Sequence, residues 1–397
     1  MIELKISLMR KWAIRMKPSI IIAGGGIAGL STAIALQQQG IQVTVYDAQV
    51  PNVIPGTGLG IGANAIQALD TLHLKNAFIT CGHPLSSIQF ISARGRKLNA
   101  TKFALQDANE AKYISILRCE LLELLRSKIE DPSTIISGKP CVGVEQNENK
   151  AMLRFQDGST AEADAVIGAD GIQSGIRRQL FNTARIRPAG YSCWTGITPR
   201  LPDGFDDTYA TETWGPAGRV GIVPLSNRRA YWFICINDHM NKRSIETLDG
   251  LIEHFKGYHT AIVDILRASD PGQISYQTIM DLQPMPRFTK GRVALIGDAA
   301  HAATPNLGQG ACQAIEDAVI LAKELGRQAT VQGALRRYEQ LRMKRVNKIT
   351  RISRMLGVVA QFENEFITSV RNIVMPIVPA SFNNKQLEFI YRVDFND

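Results

Sequence analysis

The 397-residue sequence predicts an α/β fold that contains a second, mainly β domain and ends in C-terminal helices. Three observations support this prediction. An apolar strand at residues 19–23 leads through a glycine-rich turn into a helix and then into a second strand that ends at Asp47. Alternating strands, short turns and aromatic clusters occupy residues 183–276. A parallel-type strand returns at residues 292–296, so the α/β part is interleaved with the β part.

Composition limits the class of protein. With 45 Lys and Arg against 36 Asp and Glu, the chain carries a net charge of +9, and 45% of its residues are hydrophobic. These values exclude wholesale disorder, collagen and a coiled-coil rod. No apolar run reaches the roughly 18 residues of a membrane-spanning helix. The six cysteines are scattered without a CxxC pair, so we expect no disulfide framework, no metal site and a reducing, cytoplasmic location.

The glycine-rich turn has the spacing of a dinucleotide-binding motif. Gly24, Gly26 and Gly29 fit G-x-G-x-x-G between a strand and a helix. The first allows a tight turn, the second lets the backbone approach a pyrophosphate, and the third allows close packing of helix on strand. Asp47 lies 18 residues beyond Gly29, where a carboxylate can accept hydrogen bonds from ribose hydroxyls. The pattern predicts a Rossmann-like domain with an adenine dinucleotide, the alternative being a glycine turn without a ligand.

Two later segments narrow the choice of dinucleotide. One apolar strand ends in Asp170-Gly171 and another ends in Gly297-Asp298, and a Gly308-Gln309-Gly310 turn then opens a helix. With the three fingerprints in this order, the chain resembles the group A flavoprotein monooxygenases, the family of para-hydroxybenzoate hydroxylase. The resemblance covers residues 17–397. Within the family, the pattern of motifs in this chain is most similar to that of the FAD-dependent urate hydroxylases and the salicylate hydroxylase-like members. It implies FAD as cofactor and NADPH or NADH as co-substrate.

The resemblance also implies roles for individual residues. The cofactor-binding set is Gly24, Gly26, Ala28 and Gly29 for the FAD pyrophosphate, Asp47 for the adenosine ribose, Arg118 for a further FAD contact, Asp170 for both FAD and NAD(P)H binding, Asp298 for the ribityl chain, and Gly308, Gly310 and Ala311 for the flavin edge. One departure concerns Ala48, which stands where the family often has an arginine. We therefore expect adenosine contacts that are weaker or supplied from elsewhere in the chain.

The domain boundaries follow from the same patterns. The discontinuous FAD-binding domain is predicted to comprise residues 16–75, 105–182 and 277–325, and the β-rich substrate domain residues 76–104 and 183–276. Residues 326–397 form a C-terminal helical region. Residues 1–15 are interpreted as a leader or the product of an upstream start codon, because the first strand begins only after Met16.

The implied chemistry is oxygen transfer. NAD(P)H reduces FAD, dioxygen adds to it, and a flavin hydroperoxide hydroxylates a small planar aromatic or N-heteroaromatic substrate. Arg219 and Tyr231 match active-site positions of the urate hydroxylases, where Arg219 would anchor an anionic substrate and Tyr231 would hydrogen-bond it or shape the pocket. Alternatively, both are ordinary strand residues. A reductase or saturase of the same fold, an alkene epoxidase and a nicotinamide dehydrogenase stay open as other activities.

A basic helix is predicted near the C-terminus. Residues 327–354 carry nine basic side chains and one acid, and apolar residues recur at helical spacing. A solvated outer face on a docked helix is the favoured interpretation, with peripheral contact to an anionic membrane as the alternative. No interleaved aromatics indicate nucleic-acid binding. The expected partners are a small aromatic substrate and dioxygen, and we expect a monomer or dimer. His301, near Asp298, is not assigned a proton-transfer role.

Overall fold

The computed structural model describes residues 17–49, 57–103, 112–182, 184–240, 245, 247–377 and 388–395. The predicted leader at residues 1–15 lies outside this part of the chain.

The strands are numbered in chain order. They are β1 (Ser19–Ala23), β2 (Gln42–Asp47), β3 (Gly58–Gly62), β4 (His83–Pro84), β5 (Ser87–Ser92), β6 (Lys97–Lys102), β7 (Tyr113–Leu117), β8 (Ile135–Ser137), β9 (Cys141–Gln146), β10 (Ala151–Phe155), β11 (Thr160–Ala163), β12 (Ala165–Gly168), β13 (Ile186–Thr198), β14 (Tyr209–Gly215), β15 (Gly218–Leu225), β16 (Arg229–Asn237), β17 (Ser275–Leu282), β18 (Thr289–Lys290) and β19 (Val293–Leu295).

The helices are numbered in the same way. They are α1 (Ile27–Gln38), α2 (Ala63–Thr71), α3 (Lys75–Cys81), α4 (Arg118–Arg126), α5 (Gly175–Leu180), α6 (Leu248–Phe255), α7 (Thr260–Arg267), α8 (Asp298–His301), α9 (Gly310–Arg327), α10 (Val331–Ala360) and α11 (Glu365–Val374). Short 3₁₀ turns at Pro305–Leu307 and Met375–Ile377 precede α9 and follow α11. No helix in the described ranges is long and apolar enough to cross a lipid bilayer.

The first sheet is the predicted Rossmann-like core. Its strand order is β18-β19-β12-β1-β2-β8, and all pairings are parallel except that of the edge strand β18. Its strands are buried apolar runs, with Ile20, Ile22, Val166 and Leu295 almost fully covered. Such runs are typical of parallel sheets that are covered on both faces. Helix α1 packs against α9 and against strand β2, so α1 lies between the sheet and α9.

The second sheet forms the mainly β domain. Its order is β17-β13-β16-β15-β14-β5-β6, antiparallel except for the parallel pair β5–β14. Trp194 and Trp232 are buried against α6 and α7. Strand β17 continues to Leu282, where it pairs with Ile186 of β13. The substrate sheet therefore extends beyond the boundary that the sequence placed at residue 276, because β17 belongs to the ladder of β13. The two larger sheets and the C-terminal helices confirm the predicted fold class.

The predicted basic helix forms, but not all of its basic side chains lie on a solvated face. Helix α10 includes Arg342, which is fully buried between Glu316 and Asp317 of α9, with Arg342 Nε 2.7 Å from Asp317 Oδ1. Arg354 Nη1 lies 2.8 Å from Asp281 Oδ1. Both cations bind α10 to the core. Arg342 is shielded from solvent, whereas the Arg354 side chain is 34% exposed. Leu341, one of the apolar residues whose helical spacing predicted this helix, is 40% exposed.

Candidate active site

The glycine turn between β1 and α1 can be built only from glycine at two positions. Gly24 has φ +114°, and a Cβ there would overlap the carbonyl of Ala169. A Cβ at Gly29 would overlap the carbonyl oxygen of Gly24, so this residue lets α1 begin directly against the turn. At Gly26 a Cβ would meet no heavy atom of the described residues within 4 Å. The backbone at Gly26 is therefore open to a ligand at a helix N-terminus, where unpaired N–H groups favour an anion.

Asp47 lies at one side of this turn. A Cβ at Gly25 would overlap its carboxylate, which also accepts a hydrogen bond from the Gln49 N–H at 3.1 Å. The Arg126 guanidinium of α4 approaches to 3.9 Å from Asp47 Oδ2. A cation thus stands beside Asp47 although the next residue is Ala48. The sequence did not single out Arg126, and no local pattern could have connected it to a strand almost 80 residues earlier.

Asp298 lies at the other side of the same turn. It is exposed at the start of α8, and a Cβ at Gly310 would lie 4.0 Å from its Oδ1. The preceding Gly297 has φ +56°, and a Cβ there would come within 2.9 Å of the Ala28 Cβ. The Gly-Asp segment and the start of α9 therefore pack against the first turn of α1. The small side chain of Ala28 is what allows this approach.

Asp170 adds an unsatisfied polar atom nearby. Its Oδ2 accepts a hydrogen bond from the Ile176 N–H at 3.3 Å, whereas its buried Oδ1 has no partner among the described residues. The flanking Ala169 and Gly171 line the cavity described next. Buried polar atoms without a partner are rare in folded proteins. The Asp170 carboxylate is therefore suited to accept a hydrogen bond from a hydroxyl group of a bound ligand.

A cavity of about 640 Å³ lies between the glycine turn and the face of the second sheet. Its lining includes nine of the predicted site residues: Gly26, Ala28, Arg118, Asp298, Gly308, Gly310, Ala311, Arg219 and Tyr231. Gly24, Gly29, Asp47 and Asp170 are not part of the lining. Gly24 and Gly29 shape the turn beneath the cavity, and the carboxylates of Asp47 and Asp170 lie against the backbone of that turn. Glycine turn, open backbone and carboxylates together fit a dinucleotide whose reactive end enters the cavity.

Arg219 lies in the cavity wall opposite the glycine turn. Its side chain is 3% exposed, and Nη1 donates to Glu212 Oε1 at 3.0 Å. Nη2 donates to Asn306 Oδ1, and the guanidinium stands 5.3 Å from the Tyr191 ring centroid. Its buried Nε has no partner among the described residues. The structure therefore neutralises the charge of Arg219 within the protein and leaves one N–H of this side chain unpaired.

Sequence reasoning missed Glu212 and Asn306. Glu212 and Arg219 lie on the paired strands β14 and β15, which are connected by a two-residue turn between Gly215 and Gly218. Opposite charges on the two arms of a hairpin are a signal that could have suggested the ion pair. Asn306 comes from the 3₁₀ turn before α9, 87 residues after Arg219, and no local pattern connects the two.

Tyr231 is half-buried on β16. A Cβ at Gly58 would overlap its ring, so this glycine allows the aromatic ring to pack against β3. Burial, with the nearby Cys193 and Cys235, holds the pKa of Tyr231 well above its ordinary value. The phenol therefore stays protonated at neutral pH and can act as a hydrogen-bond donor into the cavity.

His301 lies away from the cavity lining, in a buried ion-pair cluster. Its Nε2 is 2.6 Å from Asp317 Oδ2, and the same oxygen accepts the N–H of Gly297 at 2.8 Å. Burial alone would raise the pKa of Asp317, but His301 and Arg342 lower it to about 2. Asp317 thus stays ionised and ties the Gly-Asp segment to α9 and α10. Sequence reasoning did not identify Asp317, and it counted Arg342 among the cations of the basic helix without predicting its buried ion pairs.

Comparison with known proteins agrees with this geometry. The family described as FAD binding domain matches residues 17–353. The chain is 32% identical over 364 residues to an aurachin C monooxygenase/isomerase of Stigmatella aurantiaca, with 90% of this chain and 93% of that protein covered. It is 32% identical over 369 residues to 2-heptyl-3-hydroxy-4(1H)-quinolone synthase of Pseudomonas aeruginosa, covering 91% and 94%. A urate hydroxylase of Klebsiella pneumoniae is 32% identical over 340 residues, covering 83% and 87%.

Solved structures show the same architecture. The Klebsiella pneumoniae protein HpxO in complex with FAD and uric acid superposes with a TM-score of 0.85 at 27% identity, with 94% of this chain and 96% of that chain covered. A salicylate hydroxylase bound to its substrate shares the fold, with a TM-score of 0.78 at 23% identity and 96% of each chain covered. The family uses FAD with NAD(P)H. The chain therefore belongs to the FAD-binding class A monooxygenases and is an FAD-dependent oxidoreductase.

Proposed function

We propose that this enzyme uses NADPH or NADH and dioxygen to hydroxylate a small planar aromatic or N-heteroaromatic compound. One observation supports the proposal most directly. Asp298 and the glycines that open α9 line the same cavity as Arg219 and Tyr231, so the reactive end of the cofactor and the substrate would share one chamber. The names of two relatives give urate and an aminohydroxybenzoate as substrates, and the name of a third gives a hydroxyquinolone as product; each of these compounds contains a planar ring.

The FAD-binding residues have separable tasks in this proposal. Gly24 and Gly29 shape the turn, Gly26 and Ala28 admit the pyrophosphate to the N-terminus of α1, and Asp47 accepts the adenosine ribose hydroxyls. Arg126 lies near Asp47 and supplies the positive charge that an arginine at position 48 would provide, because this chain has Ala48 there. Asp170 and Asp298 accept hydrogen bonds from hydroxyl groups of the cofactor, and Arg118 contacts the cofactor at the cavity edge. Gly308, Gly310 and Ala311 bring backbone close to the flavin ring.

The bound FAD, once reduced, supplies the activated oxygen, and the chain's own residues position the substrate and keep water away. Phe90, Phe103, Trp214 and Phe233 give the chamber aromatic walls. The phenol of Tyr231 donates a hydrogen bond to the substrate. The unpaired Nε–H of Arg219 donates to a carbonyl or phenolate oxygen. Because Glu212 already balances the guanidinium, the substrate need not carry a full negative charge.

The cellular setting follows from the thiols. All six cysteines are free, among them the buried Cys193, Cys235 and Cys312. Free thiols are typical of proteins in a reducing compartment, so we infer a cytoplasmic enzyme.

Labelled dioxygen tests the proposed function. The purified protein should be yellow, and a panel of phenols, purines and quinolones should include compounds that stimulate NAD(P)H oxidation. With ¹⁸O₂, one labelled atom should enter the product. Product formation without label would identify a reductase or saturase, and label in an oxirane product would identify an epoxidase. A protein that cannot be reconstituted with FAD would contradict the proposal altogether.

A further inference from the structure

Helix α11 presents its apolar side outward. Its buried side chains are Thr368 and Arg371. Its large apolar side chains are exposed: Phe366 (77%), Ile367, Val370, Ile373 (62%) and Val374. A helix on the surface of a globular protein ordinarily buries its apolar stripe and exposes its polar side. The polarity of α11 is reversed, and no other described residue covers the apolar face.

Polar contacts hold α11 in this orientation. The Arg371 guanidinium lies 5.0 Å from the Trp214 ring centroid and donates hydrogen bonds to the carbonyls of Val359 and Ala360, at 3.3 and 3.4 Å. After the helix, the carbonyl of Met375 accepts a hydrogen bond from Asn99 Nδ2 at 2.9 Å. These bonds fix the polar side of α11 inward, so the outward position of its apolar side is part of the packed structure.

Helix α10 supplies positive charge beside this face. Seven of its exposed side chains follow one another at intervals of three or four residues and so lie on one face: Arg337, Leu341, Lys344, Lys348, Arg351, Met355 and Val358. None of them is acidic. The apolar pair Met355 and Val358 stands at the end of α10 that α11 contacts, and the cations precede it. The exposed stripe of α10 thus changes from basic to strongly apolar as it approaches α11.

We propose that the outer faces of α10 and α11 dock this enzyme on an anionic lipid bilayer. The exposed apolar side chains of α11 enter the boundary between headgroups and acyl chains, and Lys344, Lys348 and Arg351 attract the headgroups. A second copy of the chain fits this face less well, because a symmetric interface would bring the same cations together.

The docking surface lies next to the active-site cavity. Leu356 of α10 and Met375, which follows α11, both line the cavity. If the proposed hydroxylase function holds, a substrate with an apolar tail could pass from the bilayer to the cavity between these segments. The docking itself requires no substrate, so its test is independent of the proposed function.

Vesicle flotation of the FAD-loaded, full-length enzyme tests the proposal. We expect binding to vesicles of phosphatidylcholine with phosphatidylglycerol, weak binding to phosphatidylcholine alone, and release at roughly 0.5 M salt, where charges are screened. Lys344→Gln and Arg351→Gln should each weaken binding about fivefold. Lys128→Gln, an exposed lysine in the turn after helix α4, is the matched control and should bind as the wild type does.

The apolar contribution is tested separately. The double variant Phe366→Ser/Ile373→Ser should abolish flotation while FAD content and melting temperature stay unchanged, and Val142→Ser, an exposed valine on β9, should have no effect. No binding of the wild type to anionic vesicles would overturn the proposal. Equal losses in the control variants would also overturn it. A change from dimer to monomer in the double variant, measured by light scattering, would assign the face to a second copy instead.

Discussion

Arg219 Nη1 and Glu212 Oε1 lie 3.0 Å apart in the wall of the cavity, and together they form a nearly buried ion pair. Neither group can be lost without leaving the other uncompensated in a poorly solvated place. The same pair leaves Arg219 Nε unpartnered among the described residues. The structural and the substrate-binding roles of Arg219 can therefore be separated by choosing which of its atoms a substitution removes.

Removal of Glu212 should destabilise the fold. Glu212→Ala leaves the buried guanidinium without its carboxylate and should lower the free energy of unfolding by about 3–5 kcal/mol. Urea denaturation of the FAD-loaded protein measures the effect. The double variant Glu212→Ala/Arg219→Ala should lose less than the sum of the two single losses. Strict additivity would show that the two side chains do not depend on each other.

Arg219→Lys should impair substrate binding while it spares the cofactor. Lysine retains a cation for Glu212 but has no group in the place of Nε–H, so the loss of one hydrogen bond should raise KM about tenfold. Steady-state kinetics with a stimulating substrate measure KM, and absorbance near 450 nm relative to 280 nm measures bound flavin. Loss of flavin in this variant would place Arg219 in cofactor binding or folding and contradict its proposed role.

Asp298→Ala should lower FAD content. The carboxylate faces the cavity at the start of α8, and alanine cannot accept hydrogen bonds from the ribityl chain, so affinity should fall about tenfold or more. Titration of the apoprotein with FAD, followed by flavin fluorescence, gives the dissociation constant. Asp203→Ala, an exposed carboxylate outside the cavity lining, is the control. Unchanged affinity in Asp298→Ala would remove this residue from the FAD site.

Two glycines of the same turn should respond differently to alanine. Gly29→Ala would press a Cβ onto the Gly24 carbonyl and should cost about 1–3 kcal/mol of stability or more. Gly26→Ala has free space and an ordinary helical-entry backbone, so the apoprotein should melt as the wild type does. Its new methyl group should nevertheless obstruct the pyrophosphate and weaken FAD binding at least about tenfold. Calorimetry of the apoproteins and FAD titration distinguish the two effects, and wild-type FAD affinity in Gly26→Ala would contradict the assigned approach of the pyrophosphate.

Acid should destabilise the enzyme through Asp317. The ion pairs with His301 and Arg342 lower its pKa from 3.8 to about 2 in the folded state. A carboxylate with a lowered pKa contributes stability that is present above the unfolded value and is lost as the pH falls through the folded value. Urea midpoints should therefore fall steeply between about pH 4 and pH 2. A flat profile over this window would show that the cluster does not stabilise the folded protein.

The sequence was sufficient for features that depend on neighbouring residues. The strand, glycine turn and helix at the N-terminus form as predicted because Gly24 and Gly29 act within one turn, and the alternation of sheets is confirmed. The place of Asp298 in the cavity needed the resemblance, because it depends on contacts between residues nearly 300 positions apart. The bonds of Arg219 to Glu212 and Asn306 require the hairpin register and a distant 3₁₀ turn. The amphipathic pattern of α11 does not reveal which of its sides faces inward.

The interleaving of the two sheets has a practical consequence for protein engineering. The substrate sheet is assembled from residues 87–102 and 186–282, and its parallel pairing of β5 with β14 joins the two stretches edge to edge. Any uninterrupted fragment that contains the whole sheet also contains residues 103–185, which include strands β8 and β12 of the Rossmann-like sheet. Chimeras that exchange specificity between related enzymes must therefore transfer both stretches together. A single crossover between them would pair β5 from one parent with β14 from the other.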